Sequence, residues 1–365
     1  MSRQIRKVAV LGSGVMGSAI AAHFANAGIA SLVLDIVPKD AGDDRKARDR
    51  IAAGAVAALK KTRPSPLFIA RDISLIETGN LEDDLPRLKE ADWVIEVVKE
   101  DMKIKKIVLE NAAPHIGPEA ILSSNTSGLS LAEMAAVLPD DLKSRFLGTH
   151  FFNPPRYMHL LEVIGGPQTE PDVVATIAHA GEFQLGKGVV VAKDRPNFVA
   201  NRIGTYAVLR AVELMLEAEL NPTEVDFLTG PLIGRPKSAT FRTVDLVGLD
   251  TLLHVAGNVT EGAPEDPARS TFEPLPLLTR MVEEDLIGSK AGQGFYRKQK
   301  VEGKSVIEAL DLESLEYAGK PRARFPEIDP IRPIDDLEQR LSALFSAKGR
   351  GADYLWATTR DTLWY

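Results

Sequence analysis

The chain has 365 residues, more than one average domain, so two domains and a tail are expected from length alone. Its hydrophobic content of 44% and charged content of 26% are ordinary for a globular protein. A net charge of −7 argues against general nucleic-acid binding, and the absence of cysteine excludes disulfides, thiolate catalysis and cysteine-held metals. The N-terminus runs into an apolar segment with no signal peptide, and no long apolar span follows, so a cytoplasmic protein that does not insert in membranes is expected.

The first element is a short apolar run, Val8, Val10 and Leu11, of the kind that forms a buried parallel strand. It leads into "GSGVMG", after which Ile20, Phe24 and Ala27 recur at helical spacing and Gly28 stands where helices commonly end. A second apolar run, Leu32 to Leu34, finishes on Asp35. Strand, glycine turn, helix, strand and acid in that order form a dinucleotide-binding pattern. Gly12 allows the tight turn, Gly14 lets the backbone approach a pyrophosphate, and Gly17 lets the helix pack close to the strand. The helix N-terminus offers unpaired N–H groups to the phosphates. Asp35, 18 residues after Gly17, stands where a carboxylate bonds ribose hydroxyls and repels a 2′-phosphate, so NAD is expected rather than NADP.

The polar stretch after Asp35 contains an alanine-rich helix that closes on Lys60, Lys61 and Arg63. These cations read either as a solvated face or as a contact for a phosphorylated substrate. "DISLIETG" reads as a strand, "NLEDDLPRLKEA" as an acidic helix and "ADWVIEVV" as a buried strand. A charged helix over 101–111 follows, then "EAILSSNTSGLS", a strand ending in a polar turn. This alternation predicts a doubly wound parallel sheet, whose ligands sit beyond the carboxyl ends of the strands. Asp35, the turn after Val98, and Asn125, Thr126 and Ser127 are therefore expected to share one crevice. From about residue 193 the pattern becomes helical, with Val199, Ile203, Ala207 and Leu214 in phase. A first domain over 1–192 and a helical second domain over 193–298 are expected.

Between them lies "GTHFFNPPRYMHLLEVIGG", where His150 ends one strand-like run and His159 precedes another that contains Glu162. A histidine base is held and tuned by a neighbouring carboxylate, and a carboxylate in an apolar run needs a partner if buried. A His–Glu pair follows from this chemistry. The spacing leaves open which histidine forms it.

Six motifs, "GSGVMG", "SSNTSGLS", "HFFNPPRYMHLLEVI", "DRPNFVANR", "DLVGLDT" and "KAGQGFY", occur in this order over residues 5–297. Together they closely resemble the L-3-hydroxyacyl-CoA dehydrogenases, the NAD-dependent enzymes of fatty-acid β-oxidation. The resemblance implies a Rossmann-type doubly wound parallel sheet followed by an all-α 3-hydroxyacyl-CoA dehydrogenase C-terminal domain. It implies oxidation of a (3S)-3-hydroxyacyl-CoA to the 3-oxoacyl-CoA, with His150 as base, Glu162 as its partner, and Ser127 and Asn201 on the substrate's oxygens. It places Gly12, Gly14, Met16, Gly17, Asp35, Val97, Glu100, Lys105, Asn125 and Asn153 in contact with NAD. For Glu100 and Lys105 a solvated helix N-terminus is the rival reading. Lys60 and Lys61 fall where the family has a helical arm that reaches the CoA phosphates. His159 and His23 match no functional position and are assigned to structure, and Gly128 stands where many members carry a second serine. The rival functions are an NAD-dependent dehydrogenase of a free hydroxy or sugar acid, and a non-catalytic NAD-binding regulator.

"GRPKSATFRTVDLVGLDT" is similar to larger bacterial proteins in which this dehydrogenase is followed by an enoyl-CoA hydratase segment. Residues 299–330, rich in proline and charge, read as a linker, and 331–365 as a helical tail that begins a further domain. Leu355, Trp356, Leu363 and Trp364 form an apolar stripe, for which a continuation of the chain is favoured over docking on the main body. The resemblance also implies a homodimer through the helical domain.

Overall fold

Val8 and Val10 point into one hydrophobic core and Ala9 and Leu11 into another, so the first strand is buried on both sides. This is what its unbroken apolar run requires. In the computed structural model, which describes residues 4–301 and 304–365, the strand is β1 (Lys7–Leu11). Residues 1–3, at the head of the expected first domain, and 302–303, in the expected linker, lie outside the described residues. The chain divides into two compact units, Met1–Val199 and Ala200–Tyr365.

In the first unit β1 is followed by α1 (Val15–Asn26), β2 (Ala30–Asp35), α2 (Arg45–Arg48), α3 (Arg50–Ala58) and β3 (Ile76–Asn80). Then come β4 (Trp93–Glu96), α4 (Met102–Ala112), β5 (Ile121–Ser124), α5 (Leu131–Ala135), α6 (Asp140–Lys143) and β6 (Phe146–Phe151). β7 (Leu160–Gly165), α7 (Pro171–His179) and β8 (Gly188–Lys193) complete it. The eight strands form one sheet in the order β3-β2-β1-β4-β5-β6-β7-β8. Pairing is parallel from β3 to β6, antiparallel between β6 and β7, and parallel again between β7 and β8. The expected doubly wound sheet is thus present, with helices on both faces. "NLEDDLPRLKEA" forms only a short 3-10 segment, Leu85–Glu90. Asn80 Oδ1 accepts from the Glu82 and Asp83 N–H groups and Asp84 accepts from the Asn80 N–H, so side chains hold a tight turn where a helix was expected.

The second unit holds α8 (Ala200–Glu217), α9 (Pro222–Thr229), α10 (Phe241–Val247), α11 (Leu249–Gly262) and α12 (Pro276–Glu283). A three-stranded antiparallel sheet follows, β9 (Tyr296–Val301), β10 (Lys304–Leu310) and β11 (Tyr317–Gly319), and then α13 (Leu337–Ser346) and α14 (Arg350–Trp364). The stretch expected as a linker therefore carries strands, and its proline-rich end buries Phe325 and Ile328 in the unit's core. The periodicity concealed them because the sheet is mostly solvated: Val306 and Ile307 are exposed, and only Tyr296, Ala309 and Leu310 reach the core. The tail docks on α8. Tyr354 donates its hydroxyl to the Ala211 carbonyl at 3.0 Å, Arg210 pairs with Asp361 at 2.8 Å, and the Tyr365 and Tyr206 rings stack at 4.1 Å. Leu355 is buried, while Leu363 and Trp364 are exposed. Among the described residues no helix is long and apolar enough to cross a membrane.

Two motifs of this unit lock together through one buried acid. Asp245, in "DLVGLDT", accepts from the Phe295 N–H at 2.8 Å and the Tyr296 N–H at 3.0 Å, both in "KAGQGFY". A Cβ on Gly294 would run into the same carboxylate. Burial raises the Asp245 pKa to about 6.

His23, buried on α1, titrates at about 4 instead of 6.5, because burial penalises the imidazolium and Lys187 adds a like charge. Between those values the unfolded chain binds the extra proton, so this contribution is complete above pH 6.5 and is lost as the pH falls to about 4. It amounts to about 3 kcal/mol. In urea melts at pH 7 and pH 4.5, His23→Leu is expected to lose markedly less stability on acidification than the wild type. An equal loss in both proteins contradicts this account.

Candidate functional site

β1, β4, β5 and β6 are neighbours in the sheet and run parallel, so their carboxyl ends lie along one edge. At the end of β1, Gly12 has φ +105° and a Cβ there would lie 2.7 Å from the Val97 carbonyl oxygen. A Cβ on Gly17 would collide with the Gly12 carbonyl, whereas one on Gly14 would meet nothing within 4 Å. The space beside Gly14 is open. α1 starts at Val15 with no side-chain cap and no acid in its first turn, and Met16 is half-buried in that turn. Its leading N–H groups therefore keep the positive end of the helix available. Asp35 Oδ2 accepts from both the N–H and the hydroxyl of Ser13, at 2.6 and 2.5 Å, so the acid ending β2 is tied to the glycine turn.

The antiparallel pairing of β6 and β7 puts His150 directly opposite Glu162. His150 Nδ1 lies 2.7 Å from Glu162 Oε2, and Glu162 Oε1 accepts from the Val199 N–H at 3.0 Å. His150 is 4% exposed and Glu162 is fully buried. The rings of Phe152 and Phe198 flank the imidazole, with centroids 4.3 and 5.9 Å away. The register thus decides between the histidines. His159 precedes β7, is exposed, and lays its ring against Gly188.

A second buried acid organises the turn after β4. Glu96, fully buried, receives Lys105 Nζ at 2.9 and 3.0 Å, the Val98 N–H at 2.7 Å and the Ser124 hydroxyl. Lys105 is 1% exposed and also reaches Glu100 at 3.2 Å. Glu100 in turn accepts from the Thr126 hydroxyl at 2.6 Å and the Ser127 N–H at 2.8 Å. Lys105 is thus the centre of an ion-pair cluster, unlike the solvated helix residue of the rival reading. Asn125 Oδ1 accepts from the Phe151 N–H at 2.9 Å, joining the ends of β5 and β6. Ser127 and Asn153 are exposed beyond these ends, and Lys60 and Lys61 are exposed just past α3. Gly128 packs on Asn197, whose Oδ1 would lie 2.7 Å from a Cβ, so a serine does not fit there without displacement. Asn201 belongs to the second unit, in the first turn of α8.

Sequence reasoning passed over Glu96, Arg156 and Lys187. Glu96 carries the same signal as Glu162, a lone acid in an apolar strand. Lys187 is buried, donates to the carbonyls of Pro155 and of Met158 (2.8 Å), and has its pKa lowered to about 8 by burial. Arg156 donates to the carbonyls of Ser65 and Leu67 at 2.6 and 2.8 Å and sits over the Phe68 ring. Together they hold the loop after Asn153 to the segment that follows Lys60 and Lys61. No local pattern announces either contact.

The family profile described as 3-hydroxyacyl-CoA dehydrogenase, NAD binding domain, matches residues 7–195, and that of the C-terminal domain matches 198–298. The chain is 48% identical to a probable 3-hydroxyacyl-CoA dehydrogenase of Bacillus subtilis, over 100% of this chain and 47% of that protein. It is 36% identical to a putative fatty acid oxidation complex trifunctional enzyme of Rickettsia felis, over 92% of this chain and 47% of that protein. The chain therefore spans about half the length of these relatives. The crystal structure of (S)-3-hydroxybutyryl-CoA dehydrogenase from Ralstonia eutropha matches with a TM-score of 0.68 and 30% identity, over 81% of this chain and 100% of that one.

Removing the cation from the Glu96 cluster leaves a buried carboxylate without its counter-charge. Lys105→Met is expected to destabilise the first unit by about 3–5 kcal/mol in denaturant melts. The double variant Glu96→Leu/Lys105→Met, with no charge left buried there, is expected to be the more stable of the two. The reverse order would show that the pair is not what holds this turn.

Proposed function

The chain belongs to the 3-hydroxyacyl-CoA dehydrogenase family, and on that premise we propose that it oxidises a (3S)-3-hydroxyacyl-CoA to the 3-oxoacyl-CoA as a step of fatty-acid β-oxidation. The observation that carries this reading is the buried His150–Glu162 pair at the carboxyl end of β6. The NAD-binding domain fits its cofactor in this chain: the space beside Gly14 is open and the start of α1 is uncapped. Gly12, Gly14, Met16 and Gly17 would hold the pyrophosphate side, and Asp35 the ribose. Val97, Glu100, Lys105, Asn125 and Asn153 would line the remainder. NAD, when bound, supplies the acceptor for the hydride leaving C3.

The proton is this chain's work. With Nδ1–H donated to the ionised Glu162, the imidazole presents Nε2 as an acceptor. Nε2 takes the 3-hydroxyl proton while the C3–H pair leaves as hydride and the C3–O bond becomes a carbonyl. The resulting imidazolium is stabilised by the Glu162 charge in a site with little water. Ser127 and Asn201 would orient the substrate's oxygens, and Lys60 and Lys61 would meet the CoA phosphates as point charges. The same reading places the enzyme in the cytoplasm, as a homodimer through its helical unit, beside a hydratase activity in the full-length protein. The trifunctional relative supports that last association.

NADH oxidation with acetoacetyl-CoA and with free acetoacetate, by the wild type and His150→Ala, tests the reading. Turnover is expected with the thioester alone, reduced by about 10²–10⁴-fold in the variant. Turnover of the free acid would make this a hydroxy-acid dehydrogenase. NADH binding with no turnover of either would make it a regulator.

A further inference from the structure

The second unit holds a cavity of about 480 Å³ that the reaction above does not use. Five cations line it: Lys237, Arg242, Lys320, Arg322 and Arg332. On a chain of net charge −7 this is a local excess of the opposite sign. The one acid on the same wall, Asp226, is already engaged. Its carboxylate accepts from the N–H groups of Thr240, Phe241 and Arg242 at 3.1, 2.6 and 3.1 Å, and from the Tyr296 hydroxyl at 2.8 Å. Arg242 comes within 3.8 Å of Asp245, but no carboxylate among the described residues pairs with Lys237, Lys320, Arg322 or Arg332.

Aromatic faces hold two of these cations instead. Lys320 Nζ lies 5.0 Å from the Tyr296 ring centroid, and the Arg332 guanidinium 5.7 Å from that of Phe227. A ring face orients a cation without consuming its hydrogen-bond donors. The cavity also carries an orphan. Thr223, 6% exposed, has a buried hydroxyl with no hydrogen-bond partner among the described residues. A buried polar atom left unsatisfied in a cleft of converging cations calls for an acceptor from outside the chain.

We propose that this cavity is a binding site for a compact polyphosphate anion, the di- or triphosphate chain of a nucleotide or its inorganic equivalent. Its volume lies within the range of small-ligand sites, roughly 300–1,000 Å³. Several cations without carboxylate partners match several phosphate charges, and the arginines offer the forked donors that phosphate oxygens take in pairs. Every lining residue belongs to the second unit, whereas the NAD-contact residues all belong to the first.

The test is isothermal titration of the full chain with tripolyphosphate and, separately, with ATP, both with NADH saturating so that the nucleotide fold is occupied. One site is expected, weakening as KCl is raised. Arg322→Gln/Arg332→Gln is expected to weaken it by about tenfold or more, as loss of charged hydrogen bonds does. Both arginines are exposed, and an unchanged melting temperature confirms that the variant is folded. Lys60→Gln/Lys61→Gln is expected to leave binding unchanged. Tighter binding of ATP than of tripolyphosphate would assign the ligand to the nucleotides, and equal binding to the phosphate chain alone. Absence of binding, indifference to the Arg322/Arg332 change, or loss in the Lys60/Lys61 variant overturns the proposal.

Discussion

A carboxylate withdrawn from water must find cations or N–H donors, and in this protein that requirement organises the edge of the main sheet. Glu162 and Glu96 are both fully buried. Glu162 meets His150 and the Val199 N–H, which ties the end of β6 to β7 and to the segment leaving the sheet. Glu96 meets Lys105, Ser124 and the Val98 N–H, which ties the end of β4 to β5 and α4. Neither acid can be satisfied unless these strand ends sit in their present register. The candidate base is therefore positioned by the same contacts that make the edge stable.

The second unit uses the same device with aspartates. Asp226 gathers the leading N–H groups of α10 and the Tyr296 hydroxyl, so α9, α10 and β9 converge on one side chain. Burial raises its pKa, and the donated hydrogen bonds work in the opposite direction. Asp245 does the same for the backbone at Phe295 and Tyr296. One consequence is electrostatic: the acid that could have neutralised the surrounding cations is spent on the backbone. A cavity rich in positive charge is what remains beside it.

Features set by neighbours in sequence were the ones that could be read directly. The glycine turn, the alternation of strands with helices and the closing Asp35 depend on local backbone geometry and on a run of apolar side chains. The short 3-10 segment in place of an acidic helix escaped because Asn80, Asp83 and Asp84 bind backbone groups that a helix would have used. The strands over 296–319 escaped because two of their faces are solvated, which leaves little alternation to detect. Lys105 looked like an ordinary surface lysine until its partner, nine residues earlier, proved to be buried with it.

The sequence by itself determined the family, the nucleotide fold, NAD as the cofactor and the need for a histidine–carboxylate pair. These rest on motifs whose residues act within a few positions of one another, or whose order along the chain is distinctive. Only the tertiary structure decided that His150 and not His159 faces Glu162, because a cross-strand register is set by pairing over a distance and shifts every side chain if it slips by one. Only the tertiary structure gathered Lys237, Arg242, Lys320, Arg322 and Arg332 around one cavity. Charges scattered over almost a hundred residues become a site through packing alone.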